Sequence, residues 1–235
     1  MPEFAVEMRG IVKRFPGVVA NDGIDFSLRR GETHGLLGEN GAGKTVLMSI
    51  LYGLYYPDAG EIHINGIPYS SYRPAQAIRL GIGMVHQHFM LVPRLTVAEN
   101  IVIGQEPSRP GGLLDLEAAI RRIEEFSEQY GLPIDARARA NQLPVGEQQR
   151  VEIVKALYRG ADTLILDEPT AVLTELETEH LGKALMRLKG EEKSTVLITH
   201  KLHEAIEMCD RITVLRKGQV VGTVDADKTD ERELA

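Results

Sequence analysis

The sequence predicts an α/β fold with a parallel core sheet. Strands alternate with helices from about residue 33 onward, which is the pattern of a sheet covered by helices. The segment Thr163-Leu164-Ile165-Leu166 is short and apolar, as parallel strands buried on both faces are. A glycine-rich segment at 38–45 joins a strand directly to a helix, which is where α/β folds bind their ligands.

The N-terminal part predicts antiparallel strands. Residues 4–31 alternate apolar and polar side chains, the period of a half-buried strand. Pro16-Gly17 and Asn21-Asp22-Gly23 predict turns between these strands. Residues 58–69 predict a further hairpin that turns at an Asn-Gly pair. We therefore expect an N-terminal antiparallel β subdomain.

The rest of the chain is assigned from apolar periodicity. Thr96 can cap a helix, with Glu99 three residues on. From there the pattern is mainly helical as far as Tyr130, with a break around 107–112. The other predicted elements, in chain order, are a strand at 33–37, helices at 44–53 and 74–80, a strand at 82–85, helices at 145–159 and 175–189, a strand at 195–198, a helix at 203–208, and strands at 211–215 and 219–224.

Composition narrows the class of protein. The 235 residues can form one large domain or two small ones. The formal net charge of −7 argues mildly against nucleic acid as a partner, because phosphate backbones select basic faces. A single cysteine, Cys209, cannot form an intrachain disulfide, and no motif around it indicates a catalytic thiol. No apolar run approaches the eighteen residues that a membrane span needs.

The segment Gly38-Glu39-Asn40-Gly41-Ala42-Gly43-Lys44-Thr45 matches the phosphate loop G-x-x-x-x-G-K-[ST] at every defined position. Glycines let the backbone form a nest of N–H donors, and the helix that follows adds its positive end. Lys44 is placed to reach the β- and γ-phosphates, and the Thr45 hydroxyl to ligate Mg²⁺. A chance glycine-rich turn is the alternative. However, the strand, the loop, the lysine, the threonine and the helix all stand at the positions that the motif requires.

A second nucleotide signal follows the apolar strand at 163–166. Asp167 comes at its carboxyl end, where α/β folds place ligands, and it would hold Mg²⁺, through water. Glu168 can act as a general base toward the attacking water. Two acidic residues that merely close a strand are the alternative, which the phosphate loop upstream disfavours.

Taken in order, these motifs resemble the ATP-binding cassette (ABC) ATPases. The resemblance covers essentially the whole chain and is carried by the phosphate loop, Gln87, the segment 143–150, Asp167-Glu168-Pro169-Thr170 and Ile198-Thr199-His200. It implies a P-loop NTPase with a RecA-like parallel core sheet. An α-helical subdomain would be inserted at about 88–160 in one domain of residues 1–235, and the cofactors would be ATP and Mg²⁺.

The resemblance also assigns roles to residues that match the family's motifs. Phe15 lies where these proteins stack an aromatic ring on adenine, although a core phenylalanine would show the same pattern. Gln87 resembles the glutamine that contacts Mg²⁺ or the attacking water and links to the membrane partner. His200 resembles the switch histidine near the γ-phosphate. His86 and His88, beside Gln87, lack a third metal ligand at usable spacing.

The segment Leu143-Pro144-Val145-Gly146-Glu147 stands where the family has its signature loop, usually Leu-Ser-Gly-Gly-Gln. In the family this loop contacts the γ-phosphate held by the opposite subunit of a head-to-tail dimer. Pro144 has neither an N–H nor a hydroxyl, so two possible donors to phosphate are absent. Thr174 likewise stands at the usual position of an aspartate that communicates across the dimer. The resemblance therefore implies two unequal sites.

Two sequence segments are similar to the N-terminal cassette of simple-sugar and nucleoside importers. They are Gly83-Met84-Val85-His86-Gln87-His88-Phe89 and the run from Val145 to Ile153. We expect an ATPase that energises such an importer, and the first half of a longer tandem-cassette polypeptide. Its partners would be a second ABC ATPase domain, permease subunits and an extracytoplasmic solute-binding protein, with no nucleic acid. It would lie in the cytoplasm, peripheral on the inner face of the cell membrane.

Two other functions remain open from the sequence. One is a soluble ABC ATPase in DNA repair or translation, although the chain has neither the sustained heptads of the repair proteins nor the basic extensions of the translation proteins. The other is a non-hydrolysing nucleotide-binding regulator, which would not need Glu168 beside the Mg²⁺ residue.

Overall fold

A computed structural model describes residues 3–105 and 115–234. The break predicted around 107–112 therefore lies outside the described residues. The strands are β1 (Phe4–Phe15), β2 (Val18–Arg29), β3 (Thr33–Leu37), β4 (Ala59–Ile64), β5 (Ile67–Tyr69), β6 (Ile82–Val85), β7 (Thr163–Asp167), β8 (Ser194–Thr199), β9 (Arg211–Arg216) and β10 (Gln219–Asp225). The helices are α1 (Lys44–Leu51), α2 (Pro74–Arg79), α3 (Val97–Val102), α4 (Leu116–Gln129), α5 (Val145–Tyr158), α6 (Glu175–Gly190), α7 (Leu202–Met208) and α8 (Glu231–Leu234).

The N-terminal subdomain is a four-stranded antiparallel sheet in the order β2-β1-β4-β5. Pro16-Gly17 forms the expected turn between β1 and β2, but the turn predicted at Asn21-Asp22-Gly23 is wrong, because those residues lie inside β2. Between the pairs Ile11–Ile24 and Lys13–Asn21, β2 contains one residue more than β1. Gly23, with φ of 68°, lies in this interval, so a β-bulge absorbs the turn-like sequence without ending the strand.

The core sheet has six strands in the order β10-β9-β3-β8-β7-β6. The five strands from β9 to β6 are mutually parallel, and β10 pairs antiparallel with β9 at the edge. Every residue of β3, β7 and β8 is buried, which confirms the expectation for a parallel core. The carboxyl ends of these three strands meet at one edge of the sheet, where Leu37 pairs with Thr199 and Asp167 with Ile198.

The core sheet has two covered faces. The inserted helices pack on the face opposite to α1 and the antiparallel sheet. α3, α4 and α5 share an apolar cluster with β7 and α6 that includes Ile101, Ile123 and Val154. Thr96 caps α3 as predicted, since its Oγ1 accepts the Glu99 N–H at 3.2 Å. Within residues 3–105 and 115–234, the structure contains no helix that could span a lipid bilayer.

A buried ion pair fixes the start of β3, the strand that leads to the phosphate loop. Glu32 accepts a hydrogen bond of 2.5 Å from Arg211 Nε and one of 2.6 Å from the Arg29 N–H. Burial raises the pKa of Glu32, but hydrogen bonds from His34 and Arg211 outweigh it and lower that pKa to about 2. Burial lowers the pKa of His34, so the imidazole is neutral at pH 7 and Arg211 supplies the positive charge.

The free energy of unfolding should therefore depend on the charge of Glu32. Its pKa is depressed in the folded state, so its contribution is present above pH 4.5 and lost as the pH falls toward 2. We expect Glu32→Gln to lose up to about 3 kcal/mol at pH 7, with the difference from the parent shrinking below pH 4. Denaturant unfolding from pH 3 to pH 7 measures this.

Glu117→Gln is the matched control, because Glu117 pairs with Arg137 on the exposed surface and exposed pairs contribute little. Equal losses in the two variants, or a loss from Glu32→Gln that stays constant with pH, would contradict the assignment.

Candidate functional site

The phosphate loop turns from β3 into α1 through a left-handed residue. Gly43, which precedes Lys44 at the start of α1, has φ of 101°. A Cβ at this position would lie 2.2 Å from the carbonyl oxygen of Ala20 on β2, so only glycine fits. Asn21 Nδ2 also donates to the Gly43 carbonyl at 3.1 Å. The antiparallel subdomain therefore sets the shape of the loop.

The side chain of Lys44 lies across this loop. Its Nζ donates to the carbonyl oxygens of Gly38 at 2.6 Å and Glu39 at 3.0 Å. Burial lowers the pKa of the Lys44 ammonium, while the carboxylates of Glu168 and Asp167 act in the opposite direction. A cleft of about 420 Å³, lined by residues 38–42 and His200, opens beside the loop. The ammonium thus lies against the loop backbone, next to a concave surface that the loop itself lines.

Thr45 and Asp167 meet at the base of the loop. The Thr45 hydroxyl donates to Asp167 Oδ1 at 3.4 Å. Burial raises the pKa of Asp167, and the hydrogen bond from Thr45 works against that shift. A hydroxyl and a carboxylate oxygen are hard ligands of the kind that Mg²⁺ prefers. The donor set of one hydroxyl and one carboxylate therefore fits the metal that the resemblance implies.

Glu168 is the point at which three predicted catalytic residues come together. Gln87 Nε2 donates to its Oε2 at 3.3 Å, and His200 Nδ1 lies 3.1 Å from its Oε1. Glu168 has a left-handed backbone with φ of 47°, which is uncommon for a residue with a side chain and is found at functional sites. Its N–H donates to the Ile198 carbonyl at 3.0 Å, so the strained turn is tied to β8.

Phe15 lies apart from these residues at the exposed end of β1. Its side chain is 36% exposed, so the ring is available for stacking and is not part of the core. The ring of Tyr55 lies nearly perpendicular to it at a centroid distance of 5.4 Å, and Lys13 Nζ lies 5.6 Å from the ring centre. An open aromatic face of this kind suits a flat heterocycle.

The signature segment lies at the start of α5 and faces α6. Pro144 precedes the helix, and its carbonyl accepts the N–H groups of Glu147 and Gln148 at 3.0 Å each. Pro144 and Val145 are exposed, whereas Gly146 is buried. A Cβ on Gly146 would lie 2.0 Å from Glu177 Oε1. The structure therefore places Leu143 to Glu147 beside α6, and not with the residues that gather around Glu168.

Sequence reasoning missed three contributors. Asn21 lies in a predicted turn, yet its side chain bonds Gly43, and nothing in the local sequence indicates a partner 22 residues away. Tyr55 contacts Phe15, but no sequence motif marks it. The buried Glu204, which bonds Thr170 two residues after Glu168, carries no motif of its own.

Comparison with known proteins decides the family. The model of the ABC transporter family matches residues 21–171. The chain belongs to the ABC transporter family. It is an ABC ATPase domain, and the family that the resemblance implied is thereby confirmed.

Curated relatives of this ABC domain are similar over nearly all of its length. It is 52% identical to the glucose import ATP-binding protein TsgD13 of Haloferax volcanii over 98% of this chain and 47% of that protein. It is also 52% identical to the guanosine import ATP-binding protein NupO of Bacillus subtilis, over 99% of this chain and 46% of that protein. The chain thus spans about half the length of these relatives.

Solved ABC cassettes share the fold. The ADP conformation of MJ1267 aligns with a TM-score of 0.83 at 23% identity, covering 100% of this chain and 94% of that one. A dimeric bacterial ABC transporter cassette, MJ0796, aligns with a TM-score of 0.81 at 27% identity, covering 94% of this chain and 98% of that one.

Lys44 should dominate the affinity of this ABC domain for nucleotide. Lys44→Ala removes a charge-assisted contact to phosphate, and we expect Mg-ATP binding to weaken at least about tenfold. Calorimetry measures the dissociation constant. Lys183→Ala is the control, because Lys183 forms an exposed pair with Glu179. Equal affinities of parent and Lys44→Ala would contradict the assignment.

Proposed function

We propose that the chain is the ATP-hydrolysing subunit of a membrane ABC importer for a simple sugar or a nucleoside. The observation that carries this proposal is the Glu168 carboxylate, which Gln87 and His200 hold and which acts electrostatically on Lys44 of the phosphate loop. A protein that only binds nucleotide does not need a base at this position. The printed names of the relatives, which include glucose and guanosine import, support the transported class.

Each residue has a chemical role in hydrolysis. Glu168 takes the proton of the water that attacks the γ-phosphate, and His200 stabilises the charge that develops there. Lys44 and the loop N–H groups hold the β- and γ-phosphates. Mg²⁺, which Thr45, Asp167 and Gln87 would hold, supplies neutralisation of phosphate charge when bound.

The second site of the transporter would be built in trans. We infer a head-to-tail pair in which the segment from Leu143 to Glu147 faces the nucleotide of a second ABC ATPase domain. That a cassette 27% identical to this chain is dimeric supports such a pair. Because Pro144 removes two donors, this chain holds a complete site of its own and offers a poorer loop to its partner. The partner cassette, in the other half of a longer polypeptide, would carry the intact loop.

The permease would dock on the side that carries Gln87 and the helical segment 88–160. A groove of about 320 Å³ opens there, and its wall includes Tyr52, His86 and Met90. Met90 is 65% exposed, as expected for a side chain that another subunit covers. Through this contact the chain would be held at the inner face of the membrane, with an extracytoplasmic solute-binding protein completing the system.

Glu168→Gln should retain ATP binding and abolish hydrolysis, because the amide keeps the shape of the side chain and removes the base. The assembled transporter in a single-turnover assay should show ATP that is bound and not cleaved. Glu179→Gln, an exposed substitution of the same type on α6, should hydrolyse at the parental rate. Unchanged turnover of Glu168→Gln would remove this residue from the role of base.

The altered signature loop should make the isolated chain a slow ATPase. A homodimer would build both sites with Pro144, and loss of one preorganised donor costs about 3 kcal/mol, roughly a hundredfold in rate. We expect Pro144→Ser, and more so Pro144→Ser with Val145→Gly, to raise the steady-state rate. Brisk hydrolysis by the parent with no gain from either variant would show that the loop is competent and that the asymmetric model is wrong.

A further inference from the structure

A buried carboxylate joins the two loops that carry the proposed catalytic pair. Glu204 is the third residue of α7 and is only 8% exposed. Its Oε2 accepts a short hydrogen bond from Thr170 Oγ1 and a longer one, at 3.5 Å, from Thr199 Oγ1. Thr170 lies in the loop after β7 and Thr199 ends β8. One side chain thus bonds both loops.

Lys201 completes this cluster. Its Nζ donates to Glu204 Oε1 at 2.7 Å and to the Thr170 carbonyl at 3.2 Å. The Lys201 N–H donates to Thr199 Oγ1 at 3.0 Å. Both oxygens of Glu204 are therefore occupied by donors, and the ammonium balances the carboxylate charge.

The two hydroxyls of this cluster are buried. Thr170 and Thr199 are each 2% exposed, so neither hydroxyl can exchange its partner for bulk water. A carboxylate out of water is costly unless it is paired and hydrogen-bonded. Displacing either loop would leave the carboxylate short of a donor, so the two loops are constrained to move together.

The constraint acts next to the reacting groups. Thr170 comes two residues after Glu168, and Thr199 comes directly before His200. The His200 side chain is 45% exposed, so its own packing does little to hold it 3.1 Å from Glu168. The backbone of its loop must do so.

We propose that Glu204 is a positioning residue for ATP hydrolysis. By bonding Thr170 and Thr199 at once, it keeps the loop of Glu168 and the loop of His200 in the register that brings these two side chains into contact. This inference rests on the proposed function. Small misplacements of reacting groups cost up to about a hundredfold in rate. The hydrogen bonds of Glu204 to Thr170 and Thr199 therefore affect turnover, and they do not involve the phosphate loop.

The test compares Glu204→Gln, Thr170→Val, the double variant and Thr170→Ser. We expect Glu204→Gln and Thr170→Val each to slow single-turnover hydrolysis by roughly ten- to a hundredfold, with ATP affinity within about twofold of the parent. The double variant should be no slower than the slower single variant, because both changes break one interaction. Thr170→Ser keeps the hydroxyl, so this variant should retain most of the parental hydrolysis rate, unlike Thr170→Val.

Glu207→Gln is the matched control on the same helix, since Glu207 is exposed and pairs with His203 one turn earlier. Parental rates in Glu204→Gln, or additive losses in the double variant, would overturn the inference. Affinity that falls in step with the rate would do so as well.

Hydrogen exchange gives a readout that does not need turnover. In Glu204→Gln the amides at 168–173 and 199–204 should exchange faster together, while the rest of the chain and Glu207→Gln match the parent. A parent without ATPase activity in the assembled transporter would count against the proposed function. Unchanged hydrogen exchange in both loops would overturn the inference that Glu204 couples them.

Discussion

The site depends on the hydrogen-bonded register of three parallel strands. β3, β7 and β8 end side by side because Leu37 pairs with Thr199 and Asp167 with Ile198. Each strand therefore delivers its next residues to the same edge, where the phosphate loop, Glu168 and His200 follow. Interstrand spacing of about 4.8 Å brings side chains from distant parts of the sequence within hydrogen-bond reach. A slip of one residue in β7 would turn the Asp167 side chain to the other face of the sheet.

Burial disfavours the charged forms of the side chains at this edge of the sheet. Burial raises the pKa of Asp167 and lowers the pKa of Lys44, so each charged form is costly unless the other sign is nearby. Lys44 meets this need with two loop carbonyls, and Asp167 with the hydroxyl of Thr45. None of these contacts is as strong as one to a phosphate, so the pocket suits a charged nucleotide.

Much of this arrangement could be predicted from local sequence, because strand periodicity, the glycine loop and the Thr96 cap each act within a few residues. The prediction failed at Asn21-Asp22-Gly23, where pairing with β1 keeps the strand and a bulge absorbs the turn residues. Local sequence also gives no sign that Glu204 reaches Thr170, 34 residues earlier. Contacts of this length are set by the topology of the sheet, so a glutamate in the first turn of a short helix has no distinguishing pattern of its own.

The start of α5 separates what folding requires from what a partner would require. Proline is well suited to a helix start, where its missing N–H and fixed φ carry no penalty, and the Pro144 carbonyl still accepts from the first turn. Gly146 has an intrachain reason to be glycine, because a Cβ would displace the Glu177 carboxylate, which accepts hydrogen bonds from Thr174. The serine position can thus change without cost to this fold, whereas a side chain at the second glycine position would first have to displace Glu177. Under the proposed head-to-tail arrangement, the effect of Pro144 would therefore fall on the nucleotide of the opposite subunit.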